Sequence, residues 1–248
     1  MNKVNILGVH VDMVNIQQAA EQIMRFFNED RLHTVFTPNS EIIMAAYRDS
    51  SFCDILNNAD LLTADGIGVV YASKILKKPI DERAAGYDIA KKVLEKMNYT
   101  EHKLFLFGGK PGVAEEAAAN LKEEYAELNI VGTRNGYFKP EDEAEIVRQI
   151  NDSGADIVVV SLGAPKEEKW INAHKDELNV RVAMGIGGSR DGLAGRAERA
   201  PDFWCLIGME WFYRLMKEPQ RIGRMMDLPK FAATVMLKGK KYKQEEDK

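Results

Sequence analysis

Several polar side chains stand where predicted buried strands end, a position that suits chemistry. Asp65 closes the apolar run LLTA and precedes Gly66, so its carboxylate is predicted at a sheet edge, where it could take a proton from a hydroxyl group. Thr37 and Asn39 end the neighbouring run HTVFTPN and could hydrogen-bond to hydroxyl or acetamido groups. A turn or helix cap at Asp65, and a helix cap at Asn39, fit the same residue types.

Three glycine-bearing turns that follow predicted strands are candidates for phosphate binding. Small residues let backbone N–H groups approach phosphate oxygens, and the helix that follows adds a favourable dipole. For any one turn a tight strand-to-helix connection is an equally good explanation, but three on one sheet edge favour a nucleotide diphosphate. The turns are Gly108-Gly109-Lys110-Pro111-Gly112, Gly163-Ala164-Pro165-Lys166 and Gly185-Ile186-Gly187-Gly188.

Arginines supply the other candidate contacts for an anion. Arg83 is an isolated basic residue ahead of a predicted helix, where a surface charge is the simpler interpretation. Four basic residues near the C-terminus recur at steps of three and four, which would put them on one helix face, although Pro219 interrupts the pattern. They fit a guanidinium clamp on a diphosphate or a solvated face. These residues are Arg214, Lys217, Arg221 and Arg224.

Alternating strands and helices must position these groups. The apolar runs KLFLFGG, NIVGT, DIVVVSLG and VRVAMGIGG alternate with helical patterns from residue 103 onward. Buried parallel strands read as continuous apolar runs, so the sequence predicts an α/β fold with a Rossmann-like, mostly parallel sheet flanked by helices. Ligands bind at the carboxyl edge of such sheets. Nearer the N-terminus, VNILGVHVDM is predicted to be one strand, LLTADG another, and Ser40 the cap of a helix over SEIIMAAYRDS.

Charge divides the 248-residue chain into an acidic body and a basic tail. Residues 203–248 hold ten Lys or Arg against six Asp or Glu, while the whole chain has a net charge of −4. Aromatic residues such as Trp204 and Trp211 accompany these charges, which suits an interfacial helix on anionic lipid as well as packing on the core. We therefore predict a catalytic α/β domain over 1–195, a C-terminal helical appendage over 196–248, and no nucleic-acid partner.

Missing motifs and the cysteines argue against several classes of protein. GxGxxG and GxxxxGK[ST] loops are absent, which disfavours a dehydrogenase or an ATPase. HExxH, paired CxxC and Asp-x-Asp strand ends are absent too, so we expect no tightly bound metal and no cofactor. Cys53 and Cys205 lie far apart in apolar contexts typical of a reducing compartment, and the N-terminus fits neither a secretory signal nor a membrane span. A cytoplasmic location is expected.

Strings along nearly the whole chain together resemble a bacterial family: the transferases that build the wall teichoic acid linkage unit, with relatives in enterobacterial common antigen and exopolysaccharide synthesis. They follow one another in the order found in that family. The strings are TPNSE (37–41), ADGIGVV (64–70), ERAAGYD (82–88), LFGGKPGVAE (106–115), RNGYF (134–138), LGAPKEEKWI (162–171), GIGGSRDGLAG (185–195) with RAP (199–201), and MEWFYRLMKEPQRIGRM (209–225).

The resemblance implies an inverting, metal-independent N-acetylmannosaminyltransferase. Its donor would be a UDP-sugar and its acceptor a polyprenyl-diphosphate-linked N-acetylglucosamine, at the inner face of the cell membrane. Asp65 is implied to be the general base, with Thr37, Asn39 and Arg83 in the same site. The tail is implied to complete the site at the membrane, so that a homo-oligomer in solution would be less active. The residues implied to bind UDP are Gly108, Gly109, Lys110, Tyr137, Gly163, Lys166, Glu167, Gly187, Gly188 and Asp191, with Arg214, Arg221 and Arg224 closing over the diphosphate.

Two positions depart from the family pattern, which usually has Gln where Glu167 stands and an aromatic residue where Arg190 stands. A carboxylate at 167 would repel a diphosphate that touched it. Two other functions stay open at this point: an NADP-dependent oxidoreductase in which Arg134 reads a 2′-phosphate, and a membrane-associated scaffold that only binds a lipid-linked sugar. The choice of donor sugar among N-acetylmannosamine, its uronic acid and glucose rests on the resemblance alone.

Overall fold

The computed structural model describes residues 1–187 and 227–246, together with Trp204, Phe212, Tyr213 and Met216. The strands are β1 (Lys3–Ile6), β2 (Val9–Asp12), β3 (His33–Phe36), β4 (Leu61–Leu62), β5 (Lys103–Gly108), β6 (Asn129–Arg134), β7 (Ile157–Ser161) and β8 (Val182–Gly185). Six of them form one sheet in the order β4-β3-β8-β7-β5-β6, with every neighbouring pair parallel. The predicted parallel α/β sheet is confirmed, and its inner strands are the continuous apolar runs.

The first predicted strand is wrong in one respect, because VNILGVHVDM forms the antiparallel hairpin β1-β2. The chain reverses at Leu7 and Gly8, whose φ angles of 56° and 98° are the positive pair that a two-residue hairpin turn requires. Asn5 supports the turn, since its side-chain oxygen accepts a hydrogen bond of 2.8 Å from the Gly8 N–H. Leucine is an unusual residue for this type of turn, so the sequence pattern does not predict the hairpin.

Helices cover both faces of the sheet, which makes the fold doubly wound. They are α1 (Ile16–Phe26), α2 (Ser40–Arg48), α3 (Ser50–Asn57), α4 (Ile67–Ile75), α5 (Gly86–Met97), α6 (Val113–Glu124), α7 (Glu143–Asp152), α8 (Lys166–His174) and α9 (Asp227–Glu246), with a short 3-10 helix over Pro140–Asp142. Helices α1, α5 and α6 share one core cluster with alternate strand residues such as Leu104 and Leu106. The other helices share a second cluster with the intervening residues, such as Phe105 and Phe107.

Helix α9 packs along α2 and α4 and beside β1. Its Phe231 and Val235 are buried in the same cluster as those elements. Leu228, at the start of α9, lies near Gly68 at the start of α4. Gly239, further along α9, lies against Leu76 just after the end of α4, so α4 and α9 run in the same direction. No helix in the described ranges combines the length and the apolar character needed to cross a bilayer.

Candidate active site

The carboxyl ends of β3 and β4 bring Thr37, Asn39 and Asp65 to one rim, as the sequence predicted for parallel neighbours. The Asp65 N–H donates to the Pro38 carbonyl over 3.1 Å, which ties the loop after β4 to the loop after β3. A β-carbon placed on Gly66 would lie 3.7 Å from the Asn39 β-carbon, so the Asp65-Gly66 turn sits directly against Asn39.

Asn39 is also a helix cap, the alternative that its residue type left open. Its side-chain oxygen accepts hydrogen bonds of 2.9 and 3.0 Å from the N–H groups of Glu41 and Ile42 at the start of α2. Ser40, predicted to be the cap, is instead the first helical residue, so that assignment is wrong. With the oxygen engaged, the amide N–H groups of Asn39 are the part that can donate to a ligand.

The loop that carries Arg83 backs the Asp65 turn. The Ala84 N–H donates to the Ala64 carbonyl over 2.9 Å, and the Thr63 hydroxyl donates to the Ala84 carbonyl over 3.0 Å. The Arg83 guanidinium itself reaches a carboxylate oxygen of Asp88 at 3.3 Å. Arg83 therefore lies in a loop that is hydrogen-bonded to the two residues before Asp65, the predicted base.

Thr37 is nearly buried beneath the first turn of α5. A β-carbon on Gly86, the first residue of that helix, would lie 2.6 Å from the Thr37 hydroxyl oxygen. Only glycine permits this approach, and it directs the partial positive charge of the α5 N-terminus towards Thr37.

The turns after β5, β6 and β7 interlock on the other half of the rim. The Gly109 N–H donates to the Ser161 carbonyl over 3.2 Å, and the Gly136 N–H donates to the Gly109 carbonyl over 2.8 Å. A β-carbon on Gly108 would meet the Ser161 carbonyl oxygen at 2.2 Å, so the strands could not approach this closely with any other residue. Beside Gly108, Val113, Ala114 and Ala117 of α6 line a narrow apolar cleft of about 20 Å³.

Aromatic and basic side chains stand around these turns. Tyr137, after β6, is 65% exposed. The Lys166 ammonium lies 4.0 Å from the centre of the Phe138 ring, which holds it at the start of α8, and Lys110 is exposed on the turn after β5. These groups flank the place where the sequence predicted a nucleotide.

Several helices begin at this rim without a side-chain cap. The N-termini of α4, α5, α6 and α8 carry no capping side-chain hydrogen bond in the described part of the chain, whereas α1, α2 and α3 are capped by Asn15, Asn39 and Asp49. Uncapped N-termini present N–H groups and the positive end of the helix dipole, which favours anions. The rim therefore combines the Asp65 carboxylate at one end with uncapped helix N-termini along its length.

Glu167 has a place that the sequence interpretation missed. It was expected at the UDP, but its side chain is 2% exposed and accepts hydrogen bonds from the backbone N–H groups of Leu162, Gly163 and Gly187. The neighbouring Glu168 is equally buried, and burial together with the charge of Glu167 raises the pKa of Glu168 to about 8. A pair of acids in the first turn of a helix gives no warning of burial, because acidic residues are common there on the surface.

The remaining candidates fall outside the described residues, and their predicted contacts stay predictions: Gly188, Asp191, Arg214, Arg221 and Arg224. Within the described ranges no group of three or more His, Cys, Asp or Glu side chains is arranged to hold a metal ion.

Comparison with known proteins identifies the family. A Bacillus subtilis (strain 168) protein named N-acetylglucosaminyldiphosphoundecaprenol N-acetyl-beta-D-mannosaminyltransferase is 33% identical over 230 residues, which cover 92% of this chain and 89% of that protein. A Staphylococcus aureus (strain MRSA252) protein of the same name is 34% identical over 243 residues, covering 97% of this chain and 95% of its own length. The profile of the glycosyl transferase WecG/TagA/CpsF family matches residues 4–245. The resemblance seen in the sequence strings is confirmed, and the chain belongs to the WecG/TagA/CpsF family of glycosyl transferases.

Proposed function

We propose that this chain is an inverting, metal-independent glycosyltransferase. It moves N-acetylmannosamine from UDP-N-acetylmannosamine to N-acetylglucosaminyl-diphospho-undecaprenol, an early step of wall teichoic acid linkage-unit synthesis. The relatives from Bacillus subtilis and Staphylococcus aureus are named for the transfer of an N-acetyl-beta-D-mannosaminyl group to N-acetylglucosaminyldiphosphoundecaprenol, which supports this proposal. The observation that carries the proposal is the position of Asp65, on the same rim as the interlocked glycine turns and the uncapped helix N-termini.

The order of the strands suggests how a nucleotide sugar would lie along the rim. Neighbouring strands are about 4.8 Å apart, so the turn after β5 is four spacings, or roughly 19 Å, from the loop after β4 that carries Asp65. The reacting sugar would lie near Thr37 and Asn39 and the diphosphate over the turns after β7 and β5. The uracil ring of UDP would then lie beside Tyr137, which follows β6, and the exposed tyrosine ring can stack on it.

The reaction follows from this placement. The acceptor hydroxyl oxygen attacks the anomeric carbon from the face opposite UDP, while its proton passes to the Asp65 carboxylate. The bond between the anomeric carbon and the β-phosphate oxygen breaks, and UDP leaves with the electron pair. Helix N-termini, Lys166 and the arginines Arg214, Arg221 and Arg224 would stabilise the charge that develops on the leaving diphosphate.

We keep the proposed division into a catalytic domain, residues 1–195, and a C-terminal appendage, residues 196–248, that completes the site. Helix α9 supports a role for the appendage near the base, because it runs beside α4, and α4 begins two residues after Asp65. Arg48 anchors the start of α9 through a 2.6 Å ion pair with Asp227.

The proposed partner of the outer faces of α4 and α9 is an anionic membrane surface. Residues 67–80 contain three lysines and residues 228–243 contain five, and neither segment has an acidic residue. Tyr71, Ile75, Met236 and Leu237 are exposed large apolar side chains on the same two helices. Exposed apolar side chains on lysine-rich segments suit the headgroup region of a bilayer with anionic lipids. Under this proposal the protein, as a monomer or a homo-oligomer, works at the inner, cytoplasmic face of the membrane that carries the acceptor.

The test of the proposed base is Asp65→Asn, with the exposed Asp54→Asn of α3 as the matched control. We expect Asp65→Asn to lower turnover by about 100- to 10,000-fold, the range of general base catalysis, while the affinity for UDP by calorimetry stays near that of the wild type. Unchanged turnover would refute the role of Asp65.

Product analysis with a panel of UDP-sugars and a lipid-diphosphate acceptor tests the donor. We expect N-acetylmannosamine to be transferred, and transfer of its uronic acid or of glucose instead would correct the donor without changing the class of enzyme. Titration with NADPH serves as the control, because binding of NADPH in place of UDP would support the oxidoreductase reading.

A further inference from the structure

The Glu167 carboxylate joins two loops of the rim. Its Oε2 atom accepts hydrogen bonds of 3.2 Å from the Leu162 N–H and 3.0 Å from the Gly163 N–H, both in the loop after β7. Its Oε1 atom accepts a bond of 2.7 Å from the Gly187 N–H, in the loop after β8. The side chain is 2% exposed, so these bonds form away from solvent.

In this chain both oxygens of the Glu167 carboxylate act as acceptors. Three N–H donors converge on one group, and a carboxylate can accept all of them, whereas a side-chain amide would direct its own N–H groups at one of the loops. The packing leaves little freedom to rearrange, because a β-carbon on Gly185 would already lie 3.1 Å from Oε1 and 3.3 Å from the Phe36 ring.

These hydrogen bonds reduce the number of N–H groups available at the predicted phosphate site. Two of the three glycine turns that the sequence suggested for the diphosphate each have a glycine N–H group bonded to Glu167, so those two N–H groups are not available to a phosphate. The Ser161 hydroxyl also donates to the Gly187 carbonyl, which adds a second connection between the same two strand ends.

We infer that Glu167 is a positioning residue: its carboxylate holds the loops after β7 and β8 together, and thereby fixes the middle of the rim between Asp65 and the turn after β5. The inference rests on the proposed function only for its effect on UDP.

A direct contact between Glu167 and the diphosphate makes the opposite prediction. If the carboxylate faced UDP, Glu167→Gln would remove a repulsion and tighten binding. If Glu167 positions the loops, Glu167→Gln leaves one loop without an acceptor and weakens binding, and displacement of contact groups by about 1 Å can cost about 100-fold in rate. The sign of the change therefore separates the two roles.

Amide hydrogen exchange of the full chain, followed by NMR, tests the loop contact without any ligand. We expect Glu167→Gln to speed exchange at Gly187, or at Leu162 and Gly163, by at least about tenfold, roughly the effect of losing 1.4 kcal/mol of protection. Amides inside β7 should keep their protection. Glu168→Gln is the matched control, with an identical change at the next residue. At pH 5, where Glu168 is protonated in the folded protein, it should leave these amides as they are. Equal exchange in wild type and Glu167→Gln would overturn the inference.

The second measurement is UDP affinity and the kinetic constants of the same variants. We expect Glu167→Gln to bind UDP about tenfold more weakly with a raised KM, Glu167→Ala to lose more, and Glu168→Gln to match the wild type. Faster exchange with unaltered UDP binding would keep the loop contact and count against the proposed nucleotide site. Tighter binding of UDP by Glu167→Gln would count against the positioning role. The near-isosteric Gln variant keeps the test valid should Glu167→Ala fail to fold.

Discussion

Glu168 lies in the first turn of α8 as a buried acid, and its Oε2 atom has no hydrogen-bond partner within the described part of the chain. Burial first, and then the negative charge of Glu167, raise the pKa of Glu168 from 4.5 to about 8. Between these values the folded protein keeps a proton that the unfolded chain has released. The free energy of unfolding must therefore fall as pH rises through this window.

Glu168→Gln should remove this dependence, because an amide stays neutral at every pH in the range. We expect the Tm of the wild type to fall more between pH 5 and pH 8 than the Tm of the variant, with the variant the more stable at the alkaline end. Glu123→Gln, an exposed change on α6, should leave the wild-type slope in place. Parallel Tm curves for the wild type and Glu168→Gln would show that the buried acid does not titrate in this window.

The two halves of the candidate site differ in how far the sequence could predict them. Thr37, Asn39 and Asp65 follow apolar runs directly, and parallel strand ends converge on one edge, so their meeting could be inferred from order alone. The partners of Glu167 could not, because they come from two loops whose adjacency depends on β7 pairing with β8. A local sequence pattern can predict where a strand ends, whereas a contact between two loops depends on the tertiary structure.

At the level of elements, the long alternating half of the chain was predictable and the short elements near the N-terminus were not. Strands β5 and β7 are continuous apolar runs followed by amphipathic helices, a strong signal for parallel pairing. The β1-β2 hairpin turns on Leu7 and Gly8 with positive φ, and leucine there suggests no turn. Strand β4 has only two residues, so its pairing with β3 depends on contacts such as the bond from the Leu62 N–H to Asp12.

Helix α9 offers a prediction at the same level, on whether the appendage folds with the core. Phe231 is 2% exposed against α2, α4 and β1, whereas Leu237 on the same helix is 82% exposed. Phe231→Ala should lower the free energy of unfolding by about 3–5 kcal/mol, and Leu237→Ala should change it by less than about 0.5 kcal/mol. Urea denaturation followed by fluorescence and circular dichroism measures both.

The same pair of variants examines the proposed domain division. If α9 unfolded independently of residues 1–195, Phe231→Ala would leave the main transition in place and produce an earlier, separate one. A single transition shifted to lower urea would show that α9 belongs to the cooperative unit. Deletion after Gly195 would then be expected to cost stability as well as activity.

At the scale of the whole molecule, the lysine-rich segments of the chain lie close to the proposed active site. The chain has a net charge of −4, yet residues 67–80, which include α4, and residues 228–243, which form most of α9, together carry eight lysines and no acidic residue. Helix α4 starts beside Asp65 and ends at the exposed Ile75, so one short helix connects the proposed base to the proposed membrane surface. A lipid-linked acceptor could reach Asp65 along this helix while its polyprenyl chain stays in the bilayer.

This arrangement predicts how the protein binds vesicles. Lys74→Gln combined with Lys77→Gln removes two exposed charges next to Tyr71 and Ile75. Each lysine near an anionic surface contributes about 1 kcal/mol, so the pair should weaken binding to vesicles containing anionic lipid by roughly 30-fold at low salt. Lys122→Gln with Lys175→Gln removes the same charge from exposed positions on α6 and just after α8, and should have little effect. Co-sedimentation with anionic and with zwitterionic vesicles measures the wild type and both double variants.

Equal weakening of vesicle binding by both pairs of substitutions would show that net charge, and not the face formed by α4 and α9, decides the attachment. Binding to zwitterionic vesicles as strong as to anionic ones would show that lipid charge is not what the lysines recognise.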